Sequence, residues 1–403
     1  MKIVILRPSY KPEHSAGNHL ASDLADDLIK IGHEVIVIVP SVLKKTIDIP
    51  DYGYQVKRVK SIFRKKNTIS RILWYLSTSI KMFFKLIFMK NLDLIFTHSM
   101  PPTIGFLSVI AGKVKKVPVV YWEQDIVSES IISTKITKNR VLTRLYYKIS
   151  LLIERNTLKR CTHIITISEK FKNYHLNKGF DEKKITVIHN WIDTNIVYPI
   201  DRVDNFLFEK FNLNRDIFYV TYCGNMGVPQ NLEIMIDAAE KLISIENIHF
   251  IIIGNGSREE EIMKYIKTKK INNFSVFPLQ PLENSKEVYS IGDIGLVIAK
   301  SGTSNNGFPS KTWSILAAGQ SIITCFDLDS ELSIYIQESK SGISIEPDSS
   351  EELKNAILEI YNDRDKLDLY RKNAREFVQN FFSRKMMTNK LIAILEKYKK
   401  RGL

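Results

Sequence analysis

Phe308-Pro309-Ser310-Lys311 runs into Thr312-Trp313-Ser314-Ile315-Leu316-Ala317-Ala318-Gly319 and then into the β-branched run Ile322-Ile323-Thr324. A Pro-Ser-Lys turn here opens a short apolar helix, Gly319 stops it, and a strand follows. A helix N-terminus offers unpaired N–H groups and the positive end of the helix dipole, so it suits a phosphate. The pattern predicts a capping hydroxyl from Ser310 and a point charge from Lys311. Alone, the same residues also fit an ordinary capped helix with a surface lysine. The chain on either side decides between the two.

Outward from this stretch, short apolar runs alternate with helical patterns. Upstream, Tyr219–Cys223 reads as a strand, 231–242 as a helix, and His249–Ile253 as a strand ending in Gly254-Asn255-Gly256. Further strands are expected over 275–277, 294–298 and 321–324, with helices over 351–362 and 366–381 and a basic helix from Arg384 to Lys400. The first half repeats the alternation: strands over 2–6, 34–39, 93–97, 118–121, 163–167 and 185–188, and helices over 18–31 and 142–159. Strand and helix in alternation imply parallel sheets covered on both faces. At 403 residues the chain exceeds one ordinary core. The reading is therefore α/β, with Rossmann-like doubly wound domains over 1–195 and 196–383, and a helix over 384–403 packing back on the first.

Composition narrows the function. Hydrophobic residues make up 44%, and Cys161, Cys223 and Cys325 stand far apart without disulfide or metal-ligand spacing. The apolar run at Met1–Leu6 is too short for a signal peptide, and Lys81 and Lys85 interrupt the most membrane-like segment, 72–89. Net charge is +14, which favours an anionic partner. Lys57, Arg58, Lys60, Arg64, Lys65, Lys66 and Arg71 precede Trp74, Tyr75, Phe83, Phe84 and Phe88. Basic residues beside an aromatic surface fit an interfacial helix on anionic lipid; a core-facing helix with a solvated basic rim fits as well. No nucleic-acid motif is present, so nucleic acid is not the expected partner.

In doubly wound sheets ligands bind outside the carboxyl ends of the strands. The loop Arg7–Asn18 ends with Gly17 and Asn18 at a helix start, where backbone approaches a diphosphate closely. Glu123 and Asp125 follow a strand and share a face if extended, which suits a base or an acceptor-orienting group; Asp125 or Ser128 also fits a plain helix cap. Gly224-Asn225-Met226-Gly227 and Gln230 leave the first strand of the second half, without the full dinucleotide spacing. Gly254 is a weaker signal of the same kind. Asp327-Leu328-Asp329 matches a metal-binding Asp-x-Asp only formally, and the histidines are scattered, so no metal site is expected.

Taken in order, these turns resemble a family 4 retaining glycosyltransferase of the two-Rossmann-domain (GT-B) type. Within that family the likeness is to the group that builds O-antigen, capsule and colanic acid, L-fucosamine transferases among them. The likeness rests on Gly32-His33-Glu34-Val35, Gln124-Asp125, Ile188-His189-Asn190-Trp191-Ile192-Asp193, Gly224-Asn225-Met226-Gly227, Pro309-Ser310-Lys311 and Ala317-Ala318-Gly319. It implies two domains facing each other across a cleft that closes on the donor. It also implies a nucleotide-sugar donor, UDP-linked, a polyprenyl-diphosphate-linked saccharide acceptor, and no cofactor or metal. Location would be cytoplasmic, at the anionic inner face of the membrane. The departures are informative. Where many relatives carry Arg and Lys to hold the diphosphate, this chain has Asn225 and Gln230, so Lys311 and Lys300 are expected to meet that charge. The family's pair of glutamates falls on Asn306 and Ser314, which leaves Glu331, beside Ser330, to take the ribose. Asp125 stands where relatives place a histidine, and would orient the acceptor hydroxyl or support positive charge on the sugar. Two other readings share the layout: a nucleotide-sugar 2-epimerase and a non-catalytic nucleotide-sugar or nucleic-acid binder.

Overall fold

Both sheets of the protein are parallel throughout, as the alternation of strand and helix requires. The computed structural model describes residues 1–13, 17–41, 52–61, 68–134, 140–302 and 308–399. His14, Arg64, Lys65, Lys66, Asn306 and Lys400 lie outside them. The chain divides into two units, Met1–His189 with Met387–Leu403, and Asn190–Met386.

The first unit holds β1 (Lys2–Leu6), β2 (Glu34–Ser41), β3 (Gln55–Lys60), β4 (Leu94–His98), β5 (Val119–Glu123), β6 (His163–Thr166) and β7 (Ile185–Val187). Their order is β3-β2-β1-β4-β5-β6-β7. Its helices are α1 (Asn18–Lys30), α2 (Thr68–Ile87), α3 (Pro102–Lys115), α4 (Val127–Thr134), α5 (Arg140–Arg160) and α6 (Glu169–Leu176). Ile3, Val4 and Ile5 are all fully buried, so β1 is covered on both faces. That is why it reads as an unbroken apolar run rather than an alternating one.

Part of the basic cluster forms β3, at the edge of this sheet, where charge protects an unpaired backbone. Arg58 from that strand pairs with Glu13 at 3.1 Å and is not a free surface cation. On α2, Trp74 is buried and Phe83 half-buried, so the aromatic surface is narrower than the sequence suggests. Leu73, Leu76, Ile80, Phe84 and Phe88 remain exposed along one stripe. Among the described residues no helix is long and apolar enough to cross a membrane.

The second unit holds β8 (Phe218–Asn225), β9 (Ile248–Asn255), β10 (Phe274–Pro278), β11 (Ile294–Ile298), β12 (Ser321–Cys325) and β13 (Gly342–Ile345), in the order β10-β9-β8-β11-β12-β13. Around them lie α7 (Phe206–Lys210), α8 (Glu233–Lys241), α9 (Glu259–Lys269), α10 (Ser285–Tyr289), α11 (Lys311–Ala317), α12 (Glu331–Ser339), α13 (Ser350–Asn362) and α14 (Arg364–Phe381). The last helix, α15 (Arg384–Glu396), passes from the second unit to the first. There Thr388 Oγ1 donates to Asp27 Oδ2 at 2.9 Å, and Tyr398 Oη lies 3.1 Å from His163 Nδ1.

Candidate functional site

In each sheet the chain reverses its direction of winding at one point: between β1 and β4 in the first unit, between β8 and β11 in the second. Beyond the carboxyl ends of such strand pairs the outgoing loops part and leave room for a ligand.

In the second unit β8 ends in Gly224-Asn225, and α11 begins with Lys311. The Lys311 ammonium lies 3.6 Å from the centroid of the Tyr222 ring, a cation–π contact from β8. A Cβ on Gly224 would come within 3.1 Å of the same nitrogen, and Gly224 holds φ 136°, which a side chain resists. Lys311 has no ion-pair partner among the described residues; burial lowers its pKa to about 7, with Cys223 opposing. Burial in turn pushes the Cys223 thiol up to about 12, so it supplies no thiolate. The result is an ammonium short of an anion at the winding reversal.

Lys300 differs. Its N–H donates to Pro229 O at 2.9 Å, and its charge acts on Glu233 and Glu261, which also pair with Arg258. Carboxylates of the protein therefore already answer Lys300.

Close packing at three glycines, Gly227, Gly254 and Gly256, fixes the loop after β8. Gly227 N donates to Gln230 Oε1 at 3.1 Å, and a Cβ on Gly227 would stand 2.7 Å from both Asn225 and Gln230. These two neutral side chains fold over Gly227. A Cβ on Gly254 would stand 1.9 Å from Gly224 O, so the missing side chain there is accounted for by strand packing. Gly256 serves Met226 in the same way, at 2.3 Å from its carbonyl oxygen.

The cap expected of Ser310 is absent. Ser310 takes helical backbone angles and its hydroxyl makes no cap hydrogen bond, because the turn closes instead through Thr312 N to Pro309 O at 3.1 Å. Helix α11 is only 7 residues long, so Lys311 rather than its dipole supplies the positive charge. Ser330 is a true cap: it is buried, and its Oγ accepts from Ser333 N at 3.2 Å. Glu331 opens α12 and accepts from Tyr335 Oη at 2.8 Å. Asp327 Oδ1 accepts from Gly302 N at 3.0 Å, so that carboxylate shapes a loop.

In the first unit Gly17 sits at φ 73° before α1, and Asn18 is the first helical residue. The Asn18 amide is spent on the loop: it accepts from Ser9 Oγ at 3.0 Å and donates to Glu13 O at 2.8 Å. Glu123 and Asp125 do not share a setting. Glu123 ends β5 and is fully buried, and its Oε2 accepts from His175 Nε2 at 2.7 Å. Asp125 lies beyond the strand and is partly exposed; burial, then Glu123, raise its pKa to about 6. Glu154 on α5 is raised to about 7 by burial and by Glu123, and its Oε2 accepts from Ser128 N at 3.2 Å. Asp125 can thus hold or release a proton near neutrality, with the charge of Glu123 favouring the protonated form. Sequence reading missed His175 and Glu154, whose partners lie far along the chain. It also gave no role to Arg7 and His98, which follow predicted strands, or to Tyr222, which lies within one.

Two family descriptions match along the chain. Residues 18–196 match Glycosyltransferase Family 4, and residues 203–377 match Glycosyl transferases group 1. This chain belongs to the family 4-like GT-B glycosyltransferases.

Among its relatives is WcaI of Escherichia coli K12, whose name assigns it provisionally to glycosyl transfer in colanic acid biosynthesis. WcaI is 24% identical over 89% of this chain and 91% of its own length. The alpha-monoglucosyldiacylglycerol synthase of Acholeplasma laidlawii is 22% identical over 93% and 92%. The glycosyltransferase also shares its fold with Anabaena Alr3699/HepE, solved in complex with UDP, at TM-score 0.76, 15% identity, and coverage of 98% and 100%. A glycosyltransferase from Rickettsia africae ESF-5 superposes at TM-score 0.75 and 18% identity, over 100% and 99%.

Proposed function

We propose that this glycosyltransferase moves a sugar, an N-acetylated or deoxy hexose, from a UDP-linked donor to a polyprenyl-diphosphate-linked saccharide, with retained configuration, in O-antigen or capsule assembly. One observation carries the reading: the Lys311 ammonium, without an ion-pair partner among the described residues, stands beside Gly224, where backbone and cation together suit a diphosphate. The leaving diphosphate gains charge as the glycosidic bond breaks, and a lysine held beside it, charged once the anion is bound, stabilises it. Lys311 takes up a proton as the anion arrives, since an adjacent negative charge raises a lysine pKa. No cofactor or metal enters this reading. The phosphate charge falls to Lys311 and the loop at Gly224–Gly227, and Asp327 of the Asp-x-Asp accepts from backbone.

The solved complex of HepE with UDP-glucose supports the donor class by analogy of fold. The name of the Acholeplasma relative, a synthase of a glucosylated diacylglycerol, supports an amphiphilic acceptor. The exposed apolar stripe of α2, with Lys81 also exposed, supports work at the anionic inner face of the membrane. Asp125 would orient the acceptor hydroxyl.

The test is transfer of labelled sugar from a panel of nucleotide sugars to a lipid-linked acceptor, with EDTA present and absent. Labelled lipid product with the anomeric configuration of the donor, insensitive to EDTA, is expected. Altered nucleotide sugar formed without acceptor would instead mark an epimerase.

A further inference from the structure

Arg7 is the residue immediately after β1, and it is 2% exposed. Leu6 pairs in register with Thr97 of β4, so the next pair at the carboxyl edge is Arg7 beside His98. His98 pairs in turn with Trp122 of β5. Paired residues of parallel strands face the same side, and the contacts agree. The guanidinium carbon lies 5.6 Å from the Trp122 ring centroid, and the His98 ring lies 6.2 Å from it. These residues stand at the winding reversal of the first sheet.

Among the described residues the Arg7 side chain makes one hydrogen bond, Nη2 to Gly17 O at 3.1 Å. Its Nε and Nη1 are buried without a partner there. No described carboxylate answers the charge: burial lowers the pKa only to about 10, so Arg7 stays cationic at neutral pH. Tyr10, the neighbour that favours the charge, is itself pushed well above the usual phenol range by burial and remains neutral. His98 is held neutral by burial and by Arg7, and its Nδ1 accepts from Met100 N at 3.0 Å, which leaves the ring proton on Nε2. Arg7 and His98 thus both present donors. A buried water would satisfy N–H groups but leave the charge unbalanced, and unbalanced buried charge is costly. A surface lysine would need no such explanation.

We propose that Arg7 forms the floor of an oxyanion site in the first unit that takes a phosphate-type group of a substrate. This deepens the proposed function and rests on it for the source of the anion: the acceptor's diphosphate or the nucleotide's. Nε and Nη1 of Arg7 are unspent and Nη2 spends only one of its two N–H groups, so the remaining Nη2 N–H and the unspent nitrogen beside it form a planar fork that suits bidentate binding of such a group.

The test uses the full chain as wild type, Arg7→Met, Arg7→Lys and Lys311→Ala, titrated with inorganic pyrophosphate, farnesyl diphosphate and UDP. Melting temperature and dissociation constant are read for each. Wild type is expected to be stabilised by at least one of the three, and Arg7→Met to bind that ligand at least about tenfold more weakly. Without ligand, Arg7→Met should melt no lower than wild type, because it removes an unpaired buried charge. A role in folding alone predicts the reverse. If Arg7→Met does not fold, Arg7→Lys carries the test: weaker binding supports the site, and wild-type affinity overturns it. Farnesyl diphosphate lost with UDP retained places the acceptor on Arg7; UDP lost places the nucleotide there. Equal responses of wild type and Arg7→Met, or no response of wild type to any probe, overturn the inference. UDP binding that depends on Lys311 and not on Arg7, with neither diphosphate probe acting through Arg7, would leave the transferase reading standing and remove this site. Pyrophosphate binding through Arg7 in a protein that transfers no sugar would do the opposite.

Discussion

The Lys311 ammonium rests 3.6 Å from the centre of the Tyr222 ring, with no carboxylate among the described residues to balance it. Burial has lowered its pKa from 10.5 to about 7. Between those values the unfolded chain binds a proton that the folded one does not, so stability rises with pH across the window. Below about pH 7 the lysine is charged in both states and its penalty is fully present. Lys311→Met should flatten that rise in ligand-free protein, as read by urea melts from about pH 6.5 to 9.5. An unchanged slope would show that Lys311 does not titrate there. Calorimetry of UDP binding near pH 8, in buffers of different ionisation enthalpy, should show proton uptake, and Lys311→Met should abolish it.

Gly224 lies under the same nitrogen. Gly224→Ala places a methyl group about 3.1 Å from Lys311 Nζ at φ 136°. Backbone strain of this kind costs about 1–3 kcal/mol. The substitution should lower the melting temperature and weaken nucleotide binding together. Retained affinity would place the donor phosphate elsewhere. Gly254→Ala, where the clash is with the Gly224 carbonyl, should lower the melting temperature at least as much.

Asp125 should set the acid limb of the pH–rate profile. Its pKa is raised to about 6 by burial and then by Glu123, so kcat/KM should fall as pH drops through about 6. Glu123→Gln removes one of the two causes, and the limb should move to lower pH. Glu154 titrates near 7 but is not among the groups acting on Asp125, so Glu154→Gln should leave the limb in place. If Glu123→Gln leaves it unmoved as well, Asp125 is not the group observed.

Binding to vesicles should depend on the stripe of α2. Phe84 and Phe88 are 53% and 79% exposed, and burying an aromatic side chain in lipid contributes about 1.5–3 kcal/mol. Phe84→Ser with Phe88→Ser should weaken co-sedimentation with phosphatidylglycerol vesicles at least about tenfold, without changing the melting temperature. Equal binding by the double variant would remove α2 from the membrane contact.

The sheets were legible because their strands are buried on both faces. Lys2–Leu6 and 294–298 are near-continuous apolar runs, and they appear as β1 and β11. Among the elements that escaped are β3, whose Lys57, Arg58 and Lys60 read as a basic cluster because edge strands carry charge, α3, whose Gly105 and Gly112 obscure a helix, and short pieces such as β13 and α12. Those glycines serve packing, since a Cβ on Gly105 would meet Tyr121 at 2.7 Å and one on Gly112 would meet Val119 at 2.3 Å. Local turn chemistry located Lys311 and Gly224, but not their partners. The contacts of Lys311 with Tyr222 and of Glu123 with His175 join residues remote in sequence, and no short-range pattern encodes them. Ser310 shows the converse: a residue type suited to capping, in a turn that closes through backbone alone.

The most direct measurement is the affinity of UDP for wild type and for Lys311→Ala, read by calorimetry near pH 7 on proteins of matched melting temperature. The account predicts binding by wild type and a loss of at least about tenfold in the variant, the effect of removing one charge-assisted contact to a diphosphate. Equal affinity in the two proteins would contradict it.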